Sequence, residues 1–315
     1  MSPRISMTKI RLSLSFSCAL SQATVVSNNM LVATIARTTF LIPLMPTIFP
    51  YFCFKLQRKA LSIQLEPDFS LPFLTDIWEI RQAGDRLLIT TRDSQALEVS
   101  FALFEISKQE FLWQNLAFEE SWWISAYQFT GDFVVFQTYN DTQDIEARTA
   151  FAFDVEQEEA LWSIEQVKLQ MVNDKVLRYT SEEGDAALIE IATGQLVEEL
   201  IPSKQDEAAA FPLTYEAESK HAATLNRFLQ KKCGVELVGG IDYLEHNELI
   251  LISGNFKEED TYSLHLFVFD VEGNLLLHEI MENDLNGLAS GTFFIVNQAL
   301  IFVKEKREII FYQLK

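Results

Sequence analysis

The chain has 315 residues, 45 acidic against 25 basic side chains, a formal net charge of −20 and 48% hydrophobic residues. That hydrophobic fraction excludes a mostly disordered chain, and the excess of acid excludes a general nucleic-acid binder, whose phosphate contacts need Lys and Arg in excess. Three cysteines, Cys18, Cys53 and Cys233, are too few and too scattered for a disulfide framework or a four-cysteine zinc site.

The charge is divided along the chain. Residues 1–65 hold Arg4, Lys9, Arg11, Arg37, Lys55, Arg58 and Lys59 and no acid, so the remainder has 45 acids against 18 bases, a net −27. The break separates a basic, apolar extension over residues 1–55 from a domain over residues 56–315. Three readings of the extension are open. A basic start, an apolar stretch Leu12–Leu20 and the small residues after it fit a secretory signal. Thr38–Phe54, uncharged and followed by Lys55, Arg58 and Lys59, fits a membrane anchor, although Pro43, Pro46 and Pro50 each disrupt a helix. The third reading is a plain, poorly ordered extension. Weak membrane association through residues 38–59 and a cytoplasmic, exported or anchored location stay open with them.

From residue 56 onward a turn followed by an apolar strand occurs five times. The pairs are Gly84-Asp85 before RLLITT, Gly131-Asp132 before FVVFQT, Asn173-Asp174 before KVLRYT, His246-Asn247 before ELILIS and Asn297-Gln298 before ALIFVK. Gly and Asn tolerate positive φ in hairpin turns, and the runs behind them are rich in β-branched and aromatic residues. Turn starts are 47, 42, 73 and 51 residues apart. A period in the forties indicates the blades of a β-propeller, with an insertion in the long interval.

A second strand follows each first one, at residues 99–107, 147–155, 186–194, 262–271 and 308–315. In three units an acid precedes a ring by eight residues: Glu105 and Trp113, Asp154 and Trp162, Asp270 and His278. The constant spacing predicts a repeated hairpin whose rings stack neighbouring blades. Each unit then has four strands, and the first unit's run over about Ile77–Gln82, Arg86–Thr91, Val99–Ile106 and Phe111–Asn115. The fifth unit ends after its third strand at Lys315. Leu61–Leu65 is the strand expected to complete it, which makes the fold all-β, a single five-bladed propeller closed by its N-terminal strand.

Residues 201–237 interrupt the strands and predict a helix. Thr214 is the expected N-cap, Glu216 and Glu218 the first turn, Lys231 and Lys232 the last, and Gly234 the stop. Ala217, His221, Leu225, Phe228 and Leu229 form one apolar stripe, with His221 a packed histidine.

LHLFVFDVEGNLLLHEI and ALIEIATGQLVEEL resemble repeats of the quinoprotein-type (PQQ-like) β-propellers, in which a strand ending in Asp, a Thr-Gly or Gly-Asn turn and a Leu-Leu-Trp strand recur. FAFDVEQEEALW and FALFEISKQEFLW are looser versions. The resemblance spans residues 60–315 and implies fold rather than activity. The chain also resembles an uncharacterised bacterial propeller-like family, from which no activity carries over.

In a propeller the loops between second and third strands share one face with the blade-to-blade connections. Here these are Arg92–Leu97, Asn140–Glu146, Ser181–Asp185 and Asn255–Thr261, with Ser121-Trp122-Trp123 beside them. Loops on a rigid scaffold are the usual place for binding residues, so the candidates are Arg92, Asp93, Trp122, Trp123, Tyr139, Asn140, Asp141, Asn255, Lys257 and Glu258. The alternative is that these loops are solvated turns and the Trp pair packs.

The four histidines lack metal-ligand spacing, and no nucleophile elbow or P-loop is present. No catalytic residue, metal or cofactor is therefore expected. The expected function is a non-enzymatic binding or scaffolding module for a protein or small-molecule partner. The alternative is a carbohydrate-active hydrolase of the five-bladed type using Asp76, Glu79 and Asp242, since glycoside hydrolysis needs two placed carboxyls.

Overall fold

The structure, a computed structural model, describes residues 65–139, 148–202, 209–289 and 293–314. The extension over residues 1–55, the boundary near residue 56, the segment 38–59 and the candidates Asn140 and Asp141 lie outside the described residues. Among the described residues no helix is long and apolar enough to cross a membrane.

Among the described residues twenty-one strands form five antiparallel sheets, accompanied by one helix. β1 (Phe69–Pro72) is followed by the first sheet: β2 (Asp76–Ala83), β3 (Arg86–Asp93), β4 (Glu98–Glu105) and β5 (Glu110–Leu116). The second sheet is β6 (Ile124–Phe129), β7 (Phe133–Tyr139), β8 (Arg148–Asp154) and β9 (Glu159–Ile164). The third is β10 (Val167–Met171), β11 (Val176–Ser181), β12 (Ala186–Glu190) and β13 (Leu196–Val197). The fourth has five strands, β14 (Leu213–Tyr215), β15 (Val238–His246), β16 (Leu249–Glu258), β17 (Thr261–Asp270) and β18 (Leu275–Leu285), with α1 (Lys220–Cys233) between β14 and β15. The fifth is β19 (Phe293–Val296), β20 (Ala299–Lys304) and β21 (Glu308–Gln313), completed by β1.

All five expected turns stand at the start of an inner strand: β3, β7, β11 and β20, each second from an edge of its sheet, and β16, the third of five. Gly131 sits at φ 92° and the Asn297-Gln298 pair at φ 48° and 65°, the left-handed conformations that a two-residue hairpin requires. At Asn173 the side chain does the work instead, its Oδ1 accepting the N–H groups of Lys175 and Val176 at 2.9 and 2.8 Å.

The strand that completes the fifth sheet is not Leu61–Leu65. Residues 61–64 lie outside the described residues, and Leu65 is outside any strand, its N–H donating to the Leu276 carbonyl at 3.2 Å. Phe69–Pro72 pairs with β21 instead, with Phe69 opposite Phe311 and their rings stacked at 4.1 Å and 15°. An aromatic cross-strand pair fixes this register better than the aliphatic run upstream.

Four of the five neighbouring pairs of sheets pack face to face among the described residues. Phe101 and Phe136 meet at 4.7 Å between the first and second sheets, and Trp162, Tyr179 and Ile189 join the second and third. Leu266, Phe293 and Phe302 join the fourth and fifth, and Phe104 and Phe311 join the fifth to the first. Between the third and fourth sheets the described residues share no such core. There α1 covers the fourth sheet, setting Ala222 and Leu229 against Ile252, Phe267 and Phe269. The third sheet's face on that side carries exposed Gln170 and Arg178, polar residues that no neighbouring sheet buries.

The helix starts later than its sequence signal. Leu213–Tyr215 adds a strand to β15, and Thr214, opposite Asp242, gives its hydroxyl to Asp242 Oδ1 at 2.6 Å. Ser219 caps α1, its Oγ accepting the Ala222 N–H at 3.1 Å, and Gly234 ends it in the left-handed region at φ 72°. Glu216 and Glu218 precede the helix, and the buried positions are Ala222 and Leu229 rather than Ala217 and His221. His221 is exposed and stacks on Tyr215 at 4.7 Å. Pairing with the edge of β15 satisfies the backbone of these three residues, and the Thr214 hydroxyl is committed to Asp242, so neither is free to start the helix. Just before β14, Ala210 exchanges two 2.9 Å backbone hydrogen bonds with Ile295, so residues 210–215 bridge the first strands of the fourth and fifth sheets.

Candidate functional site

Three local features put an aromatic and cationic group at one end of the first two sheets. The first is a bulge in β2. Its register with β3 runs Ile77 to Thr91 and then Glu79 to Thr90, leaving Trp78 as the extra residue. A bulge re-aims a side chain, and Trp78 stands 66% exposed. The second is Glu120, whose Oε1 accepts the backbone N–H groups of Trp122 and Trp123 at 3.0 and 2.8 Å and so fixes that connection. The third is β7, whose last residue, Tyr139, donates its N–H to the Trp123 carbonyl at 3.0 Å.

Arg92, near the end of β3, is held against two of these rings. Its guanidinium carbon lies 4.5 Å from the centroid of Trp78 and 5.1 Å from that of Trp122, within cation–π range. Burial lowers its pKa, while the charges of Glu79 and Tyr139 act in the opposite direction. Among the described residues no acceptor meets its buried Nε, nor that of Arg81. Beside this pair, Trp123 meets Tyr139 edge-on at 6.2 Å, and Arg148 lies 4.8 Å over the Tyr139 ring.

Trp78 and Arg92 line a cleft of about 580 Å³. Its charged wall comprises Asp76, Glu79, Arg92, Glu282 and Lys306, and its apolar wall includes Ile80, Phe211, Met281, Phe294 and Val303. Most of the charges are already paired. Arg307 reaches Asp76 at 2.8 Å, Arg81 reaches Glu79 at 2.7 Å and Lys306 reaches Glu282 at 2.9 Å.

The residues singled out from sequence separate into two places. Arg92, Trp122, Trp123 and Tyr139 come together as described. Asp93 stands next to them in the chain, but its Oδ1 accepts the N–H groups of Gln95 and Ala96 at 2.8 and 3.0 Å, which closes the loop and lowers its pKa. Asn255, Lys257 and Glu258 belong to the fourth sheet, inside β16 rather than in a loop. Asn255 is buried and exchanges hydrogen bonds with the backbone of Ala289 at 2.7 and 2.9 Å, a structural tie. Lys257 lies 5.6 Å over the Tyr262 ring, and the Glu258 carbonyl accepts from Thr261.

The three carboxylates of the hydrolase reading do not share one hollow. Asp76 and Glu79 line the 580 Å³ cleft, whereas Asp242 lines a second hollow of about 300 Å³ that meets the first at Leu264. Burial raises the Asp242 pKa, against the hydrogen bond from Thr214. Among the described residues no group of three or more His, Cys, Asp or Glu is arranged to hold a metal ion.

Trp78 and Arg148 were not among the residues picked from sequence. Trp78 reads as an ordinary strand aromatic in DIWEIRQA, and only the register shift turns it outward. Arg148 reads as the first residue of a strand.

A family model described as a domain of unknown function (DUF4905) matches residues 80–162, which cover most of the first two sheets. No curated protein matches the chain. Among solved structures, a member of the DUF4221 family from Bacteroides vulgatus is 8% identical, with 82% of this chain and 99% of that one covered and a TM-score of 0.31. The β-propeller domain of the Trilobed protease from Pyrococcus furiosus is 9% identical, with 78% and 95% covered and a TM-score of 0.30. A eukaryotic initiation factor is 9% identical at a TM-score of 0.29, and the chain spans about half its length, 54%. At such scores the fold rests on the sheets described above.

Proposed function

We propose that the chain is a non-enzymatic binding module built on a five-bladed β-propeller, each sheet a blade and β1 closing the last. Face-to-face packing at four of the five junctions and the pairing of β1 with β21 support the blade count. The observation that carries the binding reading is the exposed indole of Trp78 with Arg92 stacked on it beside the 580 Å³ cleft. Trp, Tyr and Arg dominate binding hot spots, and a cleft of this size suits a small organic ligand.

A thermal-shift screen of a small-molecule library tests this reading on the full chain and on Trp78→Ala and Arg92→Ala. Compounds that raise the melting temperature of the parent and of neither variant are expected. Compounds that stabilise all three proteins equally, or none at all, would overturn it.

A second reading has one observation in its favour, the half-buried Asp242 carboxyl held toward its neutral form near the cleft that carries Asp76 and Glu79. A carbohydrate-active hydrolase needs such an acid beside an ionised partner. Absence of turnover on a panel of aryl glycosides and oligosaccharides would sink it. Turnover lost in Asp242→Asn would displace the binding module.

A further inference from the structure

We propose that the cleft beside Trp78 takes an amphipathic monocarboxylate, its carboxylate on the Arg92 guanidinium and its apolar body against Phe211 and Phe294. This rests on the binding-module reading and names the class of ligand.

Arg92 differs from the other cations around the cleft. Arg81, Lys306 and Arg307 each have a carboxylate within 2.7–2.9 Å. Arg92 has two rings instead and, among the described residues, no carboxylate partner. Its terminal N–H groups, unlike Nε, are not buried, so an oxygen of a ligand in the cleft can reach them. The planar guanidinium matches a carboxylate with two parallel hydrogen bonds, and stacking on Trp78 and Trp122 fixes its plane beforehand.

The surroundings limit the ligand to one negative charge. Asp76, Glu79 and Glu282 line the same cleft, so a dianion such as a phosphate monoester meets more repulsion than a single carboxylate does. The rest of the cleft calls for an apolar body. Phe211 is 53% exposed although one of its faces stacks on Phe294 at 5.5 Å, and Ile80, Met281 and Val303 continue the apolar wall. The volume of about 580 Å³ lies in the range of small-ligand pockets, roughly 300–1,000 Å³. The shared chemistry, a carboxylate on an apolar body, occurs both in free organic acids and in a peptide ending in an apolar residue.

The test is calorimetric titration of the full chain with indole-3-acetate, 4-phenylbutyrate and decanoate, each beside its carboxamide, and with phenyl phosphate. A second arm uses a short peptide ending in free Phe beside its amidated form. At least one carboxylate is expected to bind, with its amide about tenfold weaker or worse, the loss expected for a charge-assisted pair. Arg92→Lys should weaken the same ligand about tenfold, because an ammonium cannot form the stacked, two-pronged contact. The amide comparison uses the parent protein, so it stands even if a variant folds poorly. Binding by the free-ended peptide alone supports the carboxylate chemistry and assigns its source to a peptide. Equal binding of acid and amide, tighter binding of phenyl phosphate, or no binding by any carboxylate overturns the inference. If library compounds without a carboxylate still require Trp78 and Arg92, the monocarboxylate fails and the binding module stands. If no compound depends on either residue, both fail.

Discussion

The indole N–H of Trp162 in β9 donates to the backbone carbonyl of Ile191, beyond β12, at 2.7 Å, and so ties the second sheet to the third. Trp113 does the same one sheet earlier, donating to Val155 at 3.1 Å. Gly194 makes room for the first of these rings. It sits at φ 70°, and a Cβ there would lie 2.7 Å from Trp162.

Trp162→Phe removes the donor and leaves the Ile191 carbonyl buried without a partner. The expected loss is about 1–3 kcal/mol in urea denaturation. Trp123→Phe, at a ring 48% exposed with no such bond, should change stability by less than about 0.5 kcal/mol.

Phe69→Ala removes the ring stacked on Phe311 and should cost about 2 kcal/mol, less than a fully buried Phe because Phe69 is half-buried. The same change should speed amide exchange along β21, whose outer edge only β1 covers. Unchanged exchange there would show that β1 does not complete the sheet.

Ser219→Ala should cost about 1 kcal/mol and speed exchange of the Ala222 amide, which loses its side-chain acceptor. Thr214→Ala should leave the Ala222 amide protected, since Thr214 serves Asp242 and not the helix. Equal exchange in both variants would restore Thr214 as the cap.

His265 sets an acid limit to stability. It is 6% exposed, its Nε2 shares a 2.7 Å hydrogen bond with Ser263, and its Nδ1 meets His278 Nε2 at 2.9 Å. Burial first, and His278 second, pull its pKa down to about 4 from 6.5. Burial also lowers the pKa of His278, against the charge of Glu279. Above pH 6.5 both folded and unfolded chains hold His265 neutral. Below it the unfolded chain takes a proton that the folded chain refuses until about pH 4, so stability falls as pH drops through that window. The full loss is of order 3 kcal/mol. Denaturation midpoints from pH 7.5 to pH 4 should fall less in His265→Gln than in the parent.

The acid-plus-eight spacing shows where the sequence pattern ends. Trp113 pairs with Leu103 and Trp162 with Ala152, so both rings face the next sheet. In the fourth sheet the residue in that place is Leu277, opposite Val268, because the hairpin after Asp270 is one residue shorter than those after Glu105 and Asp154. A shift of one residue turns a strand side chain to the other face. His278 therefore points away from the fifth sheet and stacks on Phe267 at 4.4 Å. Equal spacing along the chain held in two sheets and misled in the third.

The sequence by itself determined the elements. Turn residues, each followed by a β-branched or aromatic run, marked one inner strand in each of the five sheets. Gly234 and the last-turn lysines marked the end of α1, because these signals act through the local backbone. The rest depended on which strand edge, hydroxyl or carboxylate came near in space. Only tertiary pairing selected Phe69–Pro72 over Leu61–Leu65 and drew Thr214 out of the helix to Asp242. It also sent Asn255 to the Ala289 backbone, away from Arg92. The cleft is the clearest case. Trp78 and Arg92 are 14 positions apart in the sequence, and a bulge between paired strands, which no local pattern announces, sets one ring against the other's guanidinium.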